Sequence, residues 1–227
     1  TGLETPGFTL RDNPAETVIY SDRARVAKVE SSGAILGSLN IAGIRVTVRQ
    51  GVIQGTSNDI DAGNVTLAKS SDLPSGGQLQ AVRIAKPVFI LEPSGRYRAS
   101  ADMSLGGGVL GSINLGAARA SVDVNNDRIA LNNLAANIMN GSAEGQAVIA
   151  RSSRTQSQIN VNFTGLDISK LLALQTSRVL PIEGAATGTV DITFSGTNFR
   201  TATGTLAADI AGNAGPIAID GGRRGEH

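Results

Sequence analysis

Residues 158–196 read QINVNFTGLDISKLLALQTSRVLPIEGAATGTVDITFSG, two alternating stretches around one helical stretch. In the first, Ile159, Val161 and Phe163 fall on one face of an extended chain and Asn160 and Asn162 on the other. In the second, Val190, Ile192 and Phe194 face one way, and Thr189, Asp191 and Thr193 the other. Between them Ile168, Leu171 and Leu172 recur at i, i+3, i+4, and Leu174 widens the apolar stripe. Asp167 is placed to cap the orphan backbone N–H groups at the helix start. Pro181 disfavours helical geometry at Leu180 and closes the segment. The pattern predicts one short α-helix around 167–176, packing through Ile168, Leu171 and Leu172. So short a helix is marginal alone in water, so its leucines need a partner surface. The two flanking strands are expected to give their apolar faces to the same surface, with the helix as a cap on a β body.

The same alternation extends outward. IRVTV places Ile44, Val46 and Val48 on one face before a Gln50-Gly51 turn, and NVTLA offers Val65 and Leu67. Pro87, inside QLQAVRIAKPVFIL, has no N–H for a ladder and is expected at an edge or bulge. Glu92-Pro93-Ser94-Gly95, Asn125-Asn126-Asp127 and Asn140-Gly141 are turn signals between SADM-, SVDV-, RIAL- and QAVIA-type strands. Towards the C-terminus, Leu206, Ala208 and Ile210 repeat the scheme. Even turn spacing without a strict repeat predicts a mainly β fold: a curled antiparallel sheet, solenoid-like, with one wet face per strand. Residues 17–220 are expected to form a single elongated domain, 1–16 a linker or loose entry segment, and 221–227 a disordered tail.

Composition narrows the function classes. Of 227 residues, 17% are charged and the net charge is +1, which argues against a nucleic-acid partner. Aromatics are 3%, Trp is absent and Gly numbers 28, which suits many short strands and tight turns better than a densely lined catalytic pocket. There is no cysteine for disulfide or thiolate chemistry. No run reaches the roughly 20 apolar residues of a transmembrane helix. A start at Thr1 and an end in GGRRGEH suggest a piece of a longer protein.

Three stretches carry a resemblance: VRIAKPVFILEPSGRY at 82–97, RIALNNLAANIMNGSAEGQAVIA at 128–150, and 159–196, where a strand leads through GLDISKLLAL into a Gly-Thr-rich strand pair. Together they resemble the AsmA-like superfamily, and most closely its TamB-type translocation and assembly module proteins. The resemblance implies a taco-like β-sheet whose apolar interior is a groove for phospholipid acyl chains between inner and outer membranes. It further implies a periplasmic location, a parent protein anchored in the inner membrane, membrane contact through flanking segments, and an outer-membrane barrel assembly protein as partner. Laid on the alternation, the expected groove lining is Val122, Val124, Ile129, Leu131, Ile159, Val161, Phe163, Val190, Ile192, Phe194, Leu206 and Ile210. No cofactor, metal or catalytic residue is expected.

Other motifs weigh less. Gly106, Gly108 and Gly111 match G-x-G-x-x-G, but strand-like SINLG follows where a dinucleotide site needs a helix N-terminus. Asn58-Asp59-Ile60-Asp61 has a misplaced Gly and Ser70 where a calcium loop needs its bidentate Glu. His227 is the one histidine, at the extreme C-terminus. Asp123 and Asp191 alternate away from the apolar face, as solvated carboxylates do. Two alternatives remain: a secreted or surface β-solenoid used as an adhesin or scaffold, and a polysaccharide-cleaving β-helix. The first would show an outward Asn/Thr ladder; the second needs aromatic platforms and clustered acids, both scarce here.

Overall fold

The computed structural model describes residues 3–30, 33–70, 75–169 and 182–214. These form one antiparallel sheet of 17 strands. In chain order they are β1 (Leu3–Glu4), β2 (Thr9–Asp12), β3 (Thr17–Val26), β4 (Val29–Glu30), β5 (Ala34–Leu36), β6 (Leu39–Arg49), β7 (Val52–Thr56), β8 (Asp59–Leu67) and β9 (Gly77–Leu91). There follow β10 (Tyr97–Leu105), β11 (Gly107–Leu110), β12 (Ile113–Asn125), β13 (Arg128–Ile138), β14 (Gly141–Ala150), β15 (Gln156–Asp167), β16 (Ile182–Ser195) and β17 (Asn198–Ala214). The curled, mainly β fold expected from the alternation is what the chain adopts.

From β12 onward the sheet is a plain meander, each strand pairing with the next. Earlier the pairing skips: β3 pairs β6, β6 and β7 pair β9 or β8, and β9 accepts both β10 and β11. Residues 3–4 and 9–12, in the stretch expected as a loose entry, pair as β1 and β2 with β3. β2 and β17 are the lateral edges, and their described side chains are exposed throughout.

Turn chemistry explains the hairpins. Gln50 and Gly51 both take positive φ (49° and 77°) between the paired residues Arg49 and Val52, the two-residue geometry that matches sheet twist. Asn125 Oδ1 accepts from the N–H groups of Asp127 and Arg128, both at 2.9 Å, and turns β12 into β13. At the Asn140-Gly141 signal the turn sits one residue earlier than expected. Met139 and Asn140 carry the positive φ (48° and 67°), while Gly141 already pairs with Ile138. Pro87 sits at a bulge, beside Lys86 at φ 49°, as its missing N–H requires.

The sheet is a single layer, and the surface area shows it. A compact monomer of 23.2 kDa exposes about 9,700 Å², whereas this chain exposes 15291 Å². Its curl is directed. A Cβ at Gly145 would run into the backbone of Asn160 and Val161 on β15, and one at Gly184 would lie 2.7 Å from the Ala211 carbonyl on β17. Both glycines belong to the apolar face by register. Glycine there lets neighbouring strands fold towards that face, which makes it the concave one.

Candidate functional site

Directly opposed residues in a ladder share a face, so the registers can be chained across the sheet. Ile19, Val46, Gly55, Phe89, Ala99, Val124, Ile129 and Ile149 are successive partners from β3 to β14. Two residues along lies the next row: Ala101, Val122, Leu131, Ala147, Ile159, Ile192 and Gly204, reaching β17. Leu10 extends the first row to β2. The steps from β2 through β3, β6, β7, β9, β10 and β12 to β17, at ~4.8 Å each, make an apolar wall roughly 50 Å long.

All twelve residues expected to line a groove lie on this face. Val161 opposes Val190, which opposes Leu206; Phe163 opposes Gly188; Ile210 opposes Ala186; Phe194 lies two residues beyond Ile192. Ile159, Val161 and Phe163 therefore share their surface with Val190, Ile192 and Phe194. The wall is unevenly covered. Phe163 and Phe194 are 6% and 2% exposed, whereas Leu206 and Ile210 on the edge strand are 69% and 67% exposed.

At one end of the wall, the segment that enters the expected helix packs onto it. Phe163, Leu166, Ile168 and Ala186 form a buried cluster, with Ile138, Ala143 and Val190 packed against it. Residues 168–169 begin a helical turn, and Asp167 Oδ1 accepts the Ser169 N–H at 3.0 Å, the cap expected of it. Leu171, Leu172 and the rest of that helix lie outside the described residues. Near the other end Ser157 is fully buried. Its hydroxyl accepts from the Ala150 N–H at 2.8 Å and donates to the Gly196 carbonyl at 2.5 Å, so it costs the wall no unpaired polar group.

The opposite face is polar. Arg83 donates to Asp59 Oδ2 at 2.7 and 3.1 Å, and this hydrogen bond, then the carboxylate charge, hold the guanidinium above its ordinary pKa. The Tyr20 phenol donates to Asp22, which raises its pKa from 10.0 in the same manner. On the wall side instead, Tyr97 opposes Leu91, and its hydroxyl accepts from Arg151, whose guanidinium lies 5.9 Å from that ring's centroid. A hollow of about 740 Å³ lies on this polar side of β12–β17. A twisted sheet is saddle-shaped, so the face that is convex overall can still be concave along one diagonal. Gly107–Leu110, within the G-x-G-x-x-G match, is strand β11, paired on both sides. Among the described residues no group of three acidic or histidine side chains converges as a metal site, and no helix is long and apolar enough to cross a membrane.

The wall includes residues the alternation did not single out as lining: Ile19, Phe89, Ala99, Ala101, Met103, Ile60 and Ile84. Their signal was present as short apolar runs, but bulges change the phase between them. No protein-family model, curated protein or solved structure matches the chain.

Proposed function

We propose that the chain is a segment of a TamB-type, AsmA-like envelope protein whose concave apolar wall shelters phospholipid acyl chains in the periplasm. The parent protein would be anchored in the inner membrane and would hand lipid, or support barrel assembly, towards the outer membrane. One observation carries the proposal: two apolar rows, one from β2 to β14 and one from β10 to β17, overlap and together cross the sheet, with no polar side chain among the paired residues that make them up. Burial of a CH₂ contributes about 0.8 kcal/mol, and an open wall covers roughly half of a chain lying on it. Such a surface holds an acyl chain without fixing its position, so lipid can slide along it.

Purified protein is expected to retain phospholipid or fatty acid detectable by mass spectrometry. Val161→Asp or Ile192→Asp puts an unpaired carboxylate into the acyl track and should abolish retention. Thr193→Asp, on the polar face, should leave it unchanged. Wild-type protein free of lipid, or equal loss with all three variants, would remove the basis for this function.

A further inference from the structure

We propose that the polar face of β14–β16 binds a neutral, hydroxyl-rich chain, an oligosaccharide, in the hollow of about 740 Å³ behind the apolar wall. The volume falls within the range of small-ligand sites. Two cross-strand rows line it. Glu144, Asn162 and Thr189 oppose one another across the three strands, and Gln146, Asn160 and Asp191 form the adjacent row.

The first observation is that none of these six side chains hydrogen-bonds or pairs with another protein group among the described residues. Three polar pairs do form elsewhere on the same face. Ser121 donates to Asp102 at 2.8 Å, Asn132 to Asp123 at 3.0 Å, and Arg83 to Asp59 at 2.7 Å. The hollow thus keeps its donors and acceptors unspent. The second observation is a bulge built into its wall. Leu131 and Leu134 pair with Ala147 and Gly145, so Asn132 and Asn133 together oppose Gln146. Asn133 takes φ 52°, a left-handed backbone that Asn tolerates better than most residues, and it lines the hollow. Bulges re-aim side chains, and this one adds an amide to the set.

The donor set selects the class of ligand. Amides donate and accept, the two carboxylates only accept, and the threonine hydroxyl does both. A sugar hydroxyl can satisfy every one of them. Arg119 on β12 also lines the hollow and only donates; a phosphate or carboxylate would meet that one cation but face two carboxylates, Glu144 and Asp191, and a hydrocarbon would bury these polar groups without partners. No aromatic ring lines the hollow, so there is no stacking platform and binding is weak, on the order of millimolar.

The test is titration of the ¹⁵N-labelled full chain with cellohexaose, and with hexagalacturonate as an anionic oligomer of equal length. Cellohexaose should shift the amide resonances of Glu144, Asn162 and Asp191 saturably. The Asn162→Ala/Asp191→Ala double variant should weaken binding by about tenfold or more, while Ser121→Ala should not change it. Thr189→Val keeps shape while removing a hydroxyl, and should weaken binding measurably even if the double variant fails to fold. Absence of shifts up to the sugar's solubility, stronger binding of the anionic oligomer, or a folded double variant with unaltered affinity would each overturn the proposal. Lipid content does not enter the readout, so this result and the lipid result stand separately.

Discussion

Strands β14–β17 and strands β6–β9 are built from the same kind of sequence, yet the first group keeps its alternation in step with its faces over much longer stretches. Along β15 and β16 the pairing from Gln156↔Ser195 to Phe163↔Gly188 runs without a shift, so every second residue faces the wall. Strand β9 changes phase twice. Leu79 faces the wall, then Ala81 at φ 51° intervenes, and Val82 and Ile84 take over. Lys86 at φ 49° changes it back, so Phe89 and Leu91 face inward again. An extra residue flips every side chain after it. A curled sheet needs such bends: the N-terminal half makes them in bulges at Gly63, Ala81 and Lys86, while the C-terminal half combines bulges at Asn133 and Gly165 with close-approach glycines such as Gly145 and Gly184. The wall survives both solutions, which shows that the apolar face, rather than strand regularity, is the conserved geometric feature within this molecule.

The largest effect that would sharpen this contrast is a large-to-small change in each half. Phe163 is 6% exposed in a buried cluster, and Phe163→Ala should cost about 3–5 kcal/mol. Phe89 is 40% exposed on the same wall, and Phe89→Ala should cost only about 1–2 kcal/mol. Urea denaturation of both variants measures this, and equal losses would mean that the wall is covered evenly. Next comes the crease itself. Gly145→Val meets the backbone of β15 and should cost about 1–3 kcal/mol or more. Gly55 has nothing within 4 Å of its Cβ position, so Gly55→Val should be nearly neutral. If Gly145→Val melts like wild type, the sheet does not fold towards its apolar face at β14–β15.

A smaller, opposite effect is expected at the bulges. Ala81 carries a left-handed backbone that penalises a Cβ by about 1–2 kcal/mol, so Ala81→Gly should stabilise by about 0.5–1 kcal/mol. The same change at Ala99, which pairs without a shift with both Val124 on β12 and Phe89 on β9, should destabilise by about 0.5–1 kcal/mol. Thermal melts that move both variants in one direction would count against the phase change at Ala81.

These contrasts also mark where the sequence was legible. Clean alternation in 158–164 and 188–195 revealed the shared face, because no residue there leaves the extended region. Gln50-Gly51 was legible because both turn positions suit their residues. Asn140-Gly141 misled by one position, since Gly141 is needed for close approach to the Thr164 and Gly165 backbone, not for the turn. The phase changes of β9 were hidden because Ala81 and Lys86 are not residues that advertise positive φ. Exposure at Leu206 and Ile210 was hidden for another reason: an alternating strand looks the same at a lateral edge as in the middle of a sheet. The polar hollow was missed because its side chains read singly as solvated, and only the register lines them up.

The smallest effect concerns Tyr20 on β3, beside the edge strand β2. Its phenol donates to Asp22 two residues along the same face, and that hydrogen bond is the larger cause of its raised pKa, the carboxylate charge the second. The raised value means that the folded state favours the protonated phenol. The contact's contribution to stability is therefore fully present below the ordinary value of 10.0 and lost as pH rises through the folded value. Asp22→Asn should return the titration to its ordinary position, read from the Tyr20 ring resonances or phenolate absorbance. Salt separates the two causes, because it screens the exposed charge and leaves the hydrogen bond. Most of the shift should persist in about 1 M salt, where the screening length falls to ~3 Å. Complete loss in salt would mean that charge alone acts on Tyr20 and that the edge next to β2 does not hold this hydrogen bond in solution.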